Sequence, residues 1–191
     1  MLFFLKRTWK SGLAGFAVLA LLGFGLRSQL SNVPAFEISL AHALFGSVLF
    51  LAILASDVTI HLTLSKVFGE GYRRRHRELA AIFRGQTVAA MLTGALMAGV
   101  GEEMIFRGLS TQALELATAA AVFGILHHIR ARFWPFTLWA TYQGLLLAGG
   151  IYLTGALFVP MVAHFLHDLA GFLIFRRMNL MTAGKQPARS E

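Results

Sequence analysis

TVAAMLTGALMAGVGEEMIFRGL, residues 87–109, is the stretch whose reading fixes the fold. Residues 87–101 carry no charge, and then Glu102, Glu103 and Arg107 follow within six positions. An uncharged run of this kind predicts a helix that is soluble in lipid. A charged side chain at the centre of a bilayer costs about 2.5–3.5 kcal/mol even on insertion scales. Three of them therefore mark a functional site first. Glu103 and Arg107 are four residues apart, share a helix face and can form a structural ion pair. That pair leaves Glu102, about 100° around the helix, without a local partner.

The whole chain supports a membrane reading. Of its 191 residues 57% are hydrophobic, and the mean hydropathy is +0.66. Soluble domains are nearer about 45–50% apolar. Cysteine is absent, which excludes disulfides and thiolate metal sites. The net charge of +8 does not point to nucleic acid, because the basic residues collect at the ends of apolar runs.

Working outward from the acidic stretch, the pattern predicts an all-α polytopic transmembrane helix bundle of about six spans. Residues 1–10 form a basic start, and 11–26 an apolar first span that reads as uncleaved. Residues 28–38 read as an external loop broken by Asn32 and Pro34. A second span covers 39–65 and holds Asp57 and His61 on one face. These two either pair with each other or a neighbouring helix, or belong to the active centre. Residues 66–86, rich in arginine, read as a cytoplasmic membrane-surface helix. A long helical run from about 87 to 114 carries the acidic motif, and polar Ser110, Thr111 and Gln112 lead to a turn at Glu115. An apolar helix over 118–129 ends at Arg130 and Arg132. A span over 136–152, a turn at Thr154-Gly155, a last span over 156–175 and a polar tail complete the chain.

On this topology, segments assigned to the cytoplasm hold 15 of the 17 lysines and arginines, so both termini are expected in the cytoplasm. Three domains follow: 1–86, two spans and a basic linker; 87–176, a four-helix catalytic core; and 177–191, the tail. Glu102 and Glu103 precede the expected turn at 115 by about as many residues as His127 follows it, and His164 lies about ten residues beyond Gly155. At 1.5 Å per residue these sites fall at one depth. His164 and Asp168 share a face. His128 and His167 read as neighbours turned toward other helices or the membrane interface, and Phe123 as packing beside His127. Gly99, Gly101 and Gly108 are expected to allow close helix contact.

Together these residues resemble the CAAX prenyl protease and bacteriocin-processing (CPBP, or Abi) family of intramembrane glutamic endopeptidases. Its motifs E-E-x-x-x-R, F-x-x-x-H and H-x-x-x-N/D read here as Glu102-Glu103-x-x-x-Arg107, Phe123-x-x-x-His127 and His164-x-x-x-Asp168, in the family order. The resemblance covers about residues 87–176. The interval between the first two motifs is short. The last position is Asp where prenyl-protein proteases have Asn, which bears on the substrate more than on the chemistry.

The resemblance implies hydrolysis of a peptide bond in a membrane-associated protein or peptide, with no metal and no other cofactor. Glu102 with His127 would hold and deprotonate a water. His164, oriented by Asp168, would donate to the oxyanion. Glu103 and Arg107 would fix the helix presenting Glu102. The implied setting is an integral protein of a bacterial inner membrane, with the lipid bilayer as its partner and no nucleic acid. The same residue types are also compatible with a zinc-dependent membrane protease, or with a non-catalytic immunity factor, scaffold or proton-coupled carrier.

Overall fold

The computed structural model describes residues 9–109, 111–128 and 134–183. The basic start before residue 9, Ser110, Arg130, Arg132 and the tail beyond 183 lie outside these residues. The described chain is all-α. Its helices are α1 (Trp9–Arg27), α2 (Leu40–Ile82), α3 (Val88–Phe106), α4 (Ala113–Leu126), α5 (Trp134–Thr154) and α6 (Phe158–Ala183). Each corresponds to an apolar segment expected from the sequence.

Three helical stretches are long and apolar enough to cross a membrane: Leu40–Ala81, Val88–Phe106 and Phe158–Asn179. Leu13–Arg27 and Ala113–Leu126 are apolar but shorter. The expectation of about six like spans is therefore met only in part. α5 has the length but carries Thr137, Thr141 and Gln143 among its apolar residues. Many large apolar side chains face outward, including Leu40, Leu114 and Leu153, as lipid-facing surfaces require.

α2 packs along α6, α4 against α5, and α3 lies between α1 and α6. The apolar window of α3 is 61% buried, against 33% for α6 and 11% for α2, so α3 is the central helix. Met104, Leu116, Ala148, Ile151, Leu157 and Met161 join α3 to α6 in one core cluster. Gly99 brings α3 close to α6, since a Cβ there would lie 2.6 Å from Phe165 Cβ and 2.7 Å from its backbone nitrogen. Gly101 faces Leu19 of α1 in the same manner, whereas Gly108 meets only Met104 of its own turn.

Four boundaries differ from the sequence reading. The second span and the basic surface helix are one helix, α2, kinked at Gly69 where φ is +56°. Its exposed basic end is laced by ion pairs from Glu70 to Arg73 and Arg77. α3 stops at Phe106 rather than running toward 114, because Glu103 O accepts from both Arg107 N (2.9 Å) and Gly108 N (2.8 Å) and closes the helix. Glu115 is not a turn but sits in the first turn of α4, where an acidic side chain suits the helix dipole. α6 continues to Ala183, past the Arg176-Arg177 end expected for it.

The loops expected on the external side do meet. Arg27 donates to Gly108 O at 2.9 Å and to Pro34 O at 2.8 Å. Ala35 N donates to Gly155 O at 2.7 Å, and Leu157 N to Ala35 O at 2.9 Å. One arginine thus ties the loop after α1 to the α3–α4 turn, and a single backbone bridge ties it to the α5–α6 turn.

The close approach at Gly99 gives a stability prediction. Gly99→Ala should destabilise the detergent-solubilised protein by about 1–3 kcal/mol, because a backbone cannot move aside as a side-chain tip can. Gly149→Ala, with nothing within 4 Å of the added carbon, should not. Thermal unfolding of the two variants makes the comparison, and equal midpoints would mean that α3 and α6 are not in this contact.

Candidate active site

α3 is not a regular helix where it presents the acidic pair. Met97–Glu102 form a π turn, followed by a short α segment over Glu103–Phe106. Gly99 and Gly101 lie inside it, and glycine holds an α conformation less firmly than other residues. A π turn places an extra residue in the helical circuit and is common at functional sites. The residues before and after it therefore do not share one 3.6-residue register. The 3.6-residue geometry used for Glu102 holds for Glu103 and Arg107 but not for the turn leading into Glu102.

The expected Glu103–Arg107 pair forms. Arg107 Nη1 donates to Glu103 Oε1 at 2.7 Å, with both side chains wholly buried. Arg107 occupies the C-cap of the segment, where a cation complements the helix dipole. Its guanidinium also lies 4.4 Å from the centre of the Phe123 ring. Gly144 of α5 leaves room for it, since a Cβ there would come within 2.9 Å of Nη2.

The same Glu103 oxygen holds a residue from α6. His164 Nδ1 is 2.7 Å from Glu103 Oε1. This shorter contact was not anticipated, because Asp168 was expected to orient His164. Asp168 does face it, with Oδ1 3.7 Å from His164 Nε2, but that distance is beyond a hydrogen bond. His164 thus has a carboxylate against one ring nitrogen and a second facing the other. It can carry a proton on both and donate from either.

His127 is the C-cap residue of α4 rather than part of a helix reaching 129. Its Nδ1 lies 2.7 Å from Phe123 O, so Nδ1–H donates there and Nε2 carries the lone pair. Phe123 does more than pack beside it. Its ring centre is 4.1 Å from that of His127 and 5.8 Å from that of His164, and it meets Phe106 edge-on at 5.2 Å. One phenyl ring therefore touches residues of all three sequence motifs.

Glu102 is buried at 5% exposure, and its Oε2 has no hydrogen-bond partner among the described residues. Glu103 Oε2 and Arg107 Nε and Nη2 are likewise buried without one. Unmatched buried polar atoms are rare, and their gathering on one helix segment is characteristic of a site rather than of packing. Glu102 lies within electrostatic range of His164, Asp168 and Glu103, and His127 within range of His164 and Asp168. Among the described residues, no three His, Asp or Glu side chains are arranged as a metal-ligand set.

Asp57 and His61, left open by the sequence, go to different partners. Asp57 accepts from Trp139 and Gln143 and meets His167, while His61 Nδ1 lies 3.3 Å from Tyr72 OH. His167 does face another helix, as expected. His128 pairs with Thr137 Oγ1 at 3.0 Å. Trp139 and Gln143 are not singled out by the sequence, since α5 also carries Thr137, Thr141 and Tyr142 and no spacing marks these two among them.

With this geometry in place, comparison with known proteins becomes specific. The family described as type II CAAX prenyl endopeptidase Rce1-like matches residues 84–170, which contain all three motifs. The chain is 34% identical over 87 residues to the uncharacterized protein YpbD of Bacillus subtilis (strain 168), covering 46% of each. It thus spans about half the length of the curated relative it matches. No solved structure matches it. Residues 84–170 of this chain thus carry an Rce1-like type II CAAX prenyl endopeptidase (CPBP) family domain.

Proposed function

We propose that this protein is an intramembrane glutamic endopeptidase, cutting a peptide bond of a membrane-associated protein or peptide. The observation that carries the reading is that Glu103, Phe123 and His164 bring the three motifs into one buried cluster from three helices. Peptide hydrolysis needs an activated water, a stabilised oxyanion and a proton for the leaving amine. Glu102, adjoining that cluster and bearing an unmatched oxygen, takes the proton of the attacking water. His127, with Nδ1 engaged on a carbonyl, offers Nε2 to hold that water. His164 donates from Nε2 to the oxyanion as the carbonyl becomes tetrahedral. Protonated Glu102 then gives its proton to the departing nitrogen, the C–N bond breaks, and the carboxylate is restored. Glu103 and Arg107 hold His164 and the helix end in place, and Asp168 faces the nitrogen that His164 uses.

The proposed setting is a bacterial inner membrane, with all six helices in the bilayer and α3 to α6 as the catalytic core. The placement of lysines and arginines supports cytoplasmic termini.

Glu102→Gln should lower cleavage by at least about 100-fold, the lower end of what a general base contributes. The purified variant should keep its thermal midpoint. Because the substrate is defined only by class, the assay compares membrane proteomes of cells making either protein, reading new C-termini. Wild-type levels of those termini with Glu102→Gln would remove Glu102 from the chemistry.

Arg107→Ala should destabilise the protein by about 3–5 kcal/mol, since it leaves Glu103 as an uncompensated buried charge. Thermal unfolding in detergent is the measurement, and an unchanged midpoint contradicts a pair that holds the helix.

Activity should be independent of metal. Elemental analysis of active protein, with chelation and metal return, tests this. Loss of cleavage on chelation and recovery with zinc would transfer water activation to a bound ion.

A further inference from the structure

Asp57 lies on α2, outside the matched family domain, yet three side chains of that domain converge on it. Trp139 Nε1 and Gln143 Nε2 of α5 donate to Oδ1 at 2.8 and 2.5 Å. His167 Nε2 of α6 is 2.7 Å from Oδ2. Asp57 and His167 are mostly buried, with side-chain exposures of 19% and 12%. One donor is enough to clamp two helices. Three fix the plane of the carboxylate, and the Trp139 ring, 5.6 Å from His167, also packs against the imidazole.

What lies beyond His167 gives this arrangement a use. His167 Nδ1 faces Asp168 Oδ1 at 3.4 Å. The same Asp168 oxygen faces His164 Nε2 at 3.7 Å, and His164 Nδ1 is bonded to Glu103. Acidic and basic groups therefore alternate from α2 to α3 in the order Asp57, His167, Asp168, His164, Glu103, Arg107. If both imidazoles carry two protons, the charges of this chain cancel. Tyr72 also lies within electrostatic range of Asp57.

We propose that Asp57 is a positioning residue: through His167 it orients Asp168, and through Asp168 it sets the nitrogen that His164 turns to the reacting carbonyl. Its purpose rests on the protease reading above. With a carboxylate on each side, His167 is hydrogen-bonded to Asp57 through Nε2 and, when doubly protonated, ion-paired with Asp168 through Nδ1, so it couples the position of α2 to that of Asp168. Asparagine at position 57 keeps the shape but not the charge, so Nε2 of His167 loses its ionic acceptor and the link is no longer held from behind.

The test is spectroscopic. Full-length protein with 15N-labelled histidine is placed in lipid nanodiscs, and its ring-nitrogen resonances are assigned with His164→Gln and His167→Gln. Asp57→Asn should move the resonances of both His167 and His164, and Asp57→Glu should return them toward wild type. His42, whose Nδ1 lies 3.2 Å from Glu37 O at the other end of α2, should not move. In His167→Gln the His164 resonances should also move, and adding Asp57→Asn should change nothing further. Movement of His167 alone in Asp57→Asn, with His164 fixed, overturns the proposal and leaves a helix clamp. Where Asp57→Asn does not fold, unmoved His164 resonances in His167→Gln overturn it equally. Glu102-dependent cleavage together with an unmoved His164 overturns this proposal alone. A moved His164 without any Glu102-dependent cleavage supports the coupling and overturns the protease reading.

Discussion

A single carboxylate oxygen, Glu103 Oε1, accepts from Arg107 of its own helix and meets His164 of another, each at 2.7 Å. In a bilayer the apolar faces of helices gain little by leaving lipid for one another, so packing and polar contacts set how they associate. A buried carboxylate oxygen shared by partners on two helices is a contact of that kind. It fixes where α6 sits on α3, and the absence of a side chain at Gly99 lets the backbones come close enough for it to form. The rest of the candidate site is arranged around this junction. Phe123 lies under the guanidinium, and the His127 ring packs at a tilt against Phe123.

That junction separates the two adjacent glutamates. Glu103 is enclosed at 0% exposure and held by charge, while Glu102, one residue earlier at the end of the π turn, keeps an oxygen without a hydrogen-bond partner among the described residues. A regular helix through Gly99 and Gly101 would carry the two carboxylates on a fixed 100° offset. Both residues keep α-helical backbone angles at the end of the π turn, so that offset holds and the two carboxylates leave the helix in different directions.

α2 extends the polar system beyond the matched domain. Its outward face is apolar and exposed, as a lipid-facing helix demands, while Asp57 turns inward to α5 and α6. The hydrogen-bonding residues Trp139 and Gln143 are part of the polar content of α5. They serve a buried acid that sits on a different helix.

The sequence alone determined the all-α class of the fold and which residues to look for at the candidate site. Long uncharged runs can be stable only as helices in lipid, so α3 and α6 were legible from composition, as was the Glu103–Arg107 pair from its spacing of four. The turn at Gly155 and the loop around Pro34 were legible from their breakers. Other features were not, because they depend on contacts between residues far apart in the chain. The early end of α3 at Phe106 is set by backbone groups converging on Glu103 O, which no side-chain pattern announces. The assignment of His164 to Glu103, the place of Phe123 among three motifs, and the three donors around Asp57 are matters of distance between helices. Periodicity says which residues share a face of one helix. Only tertiary structure decides which face of another helix lies opposite, and here buried charge seeking its partners makes that choice.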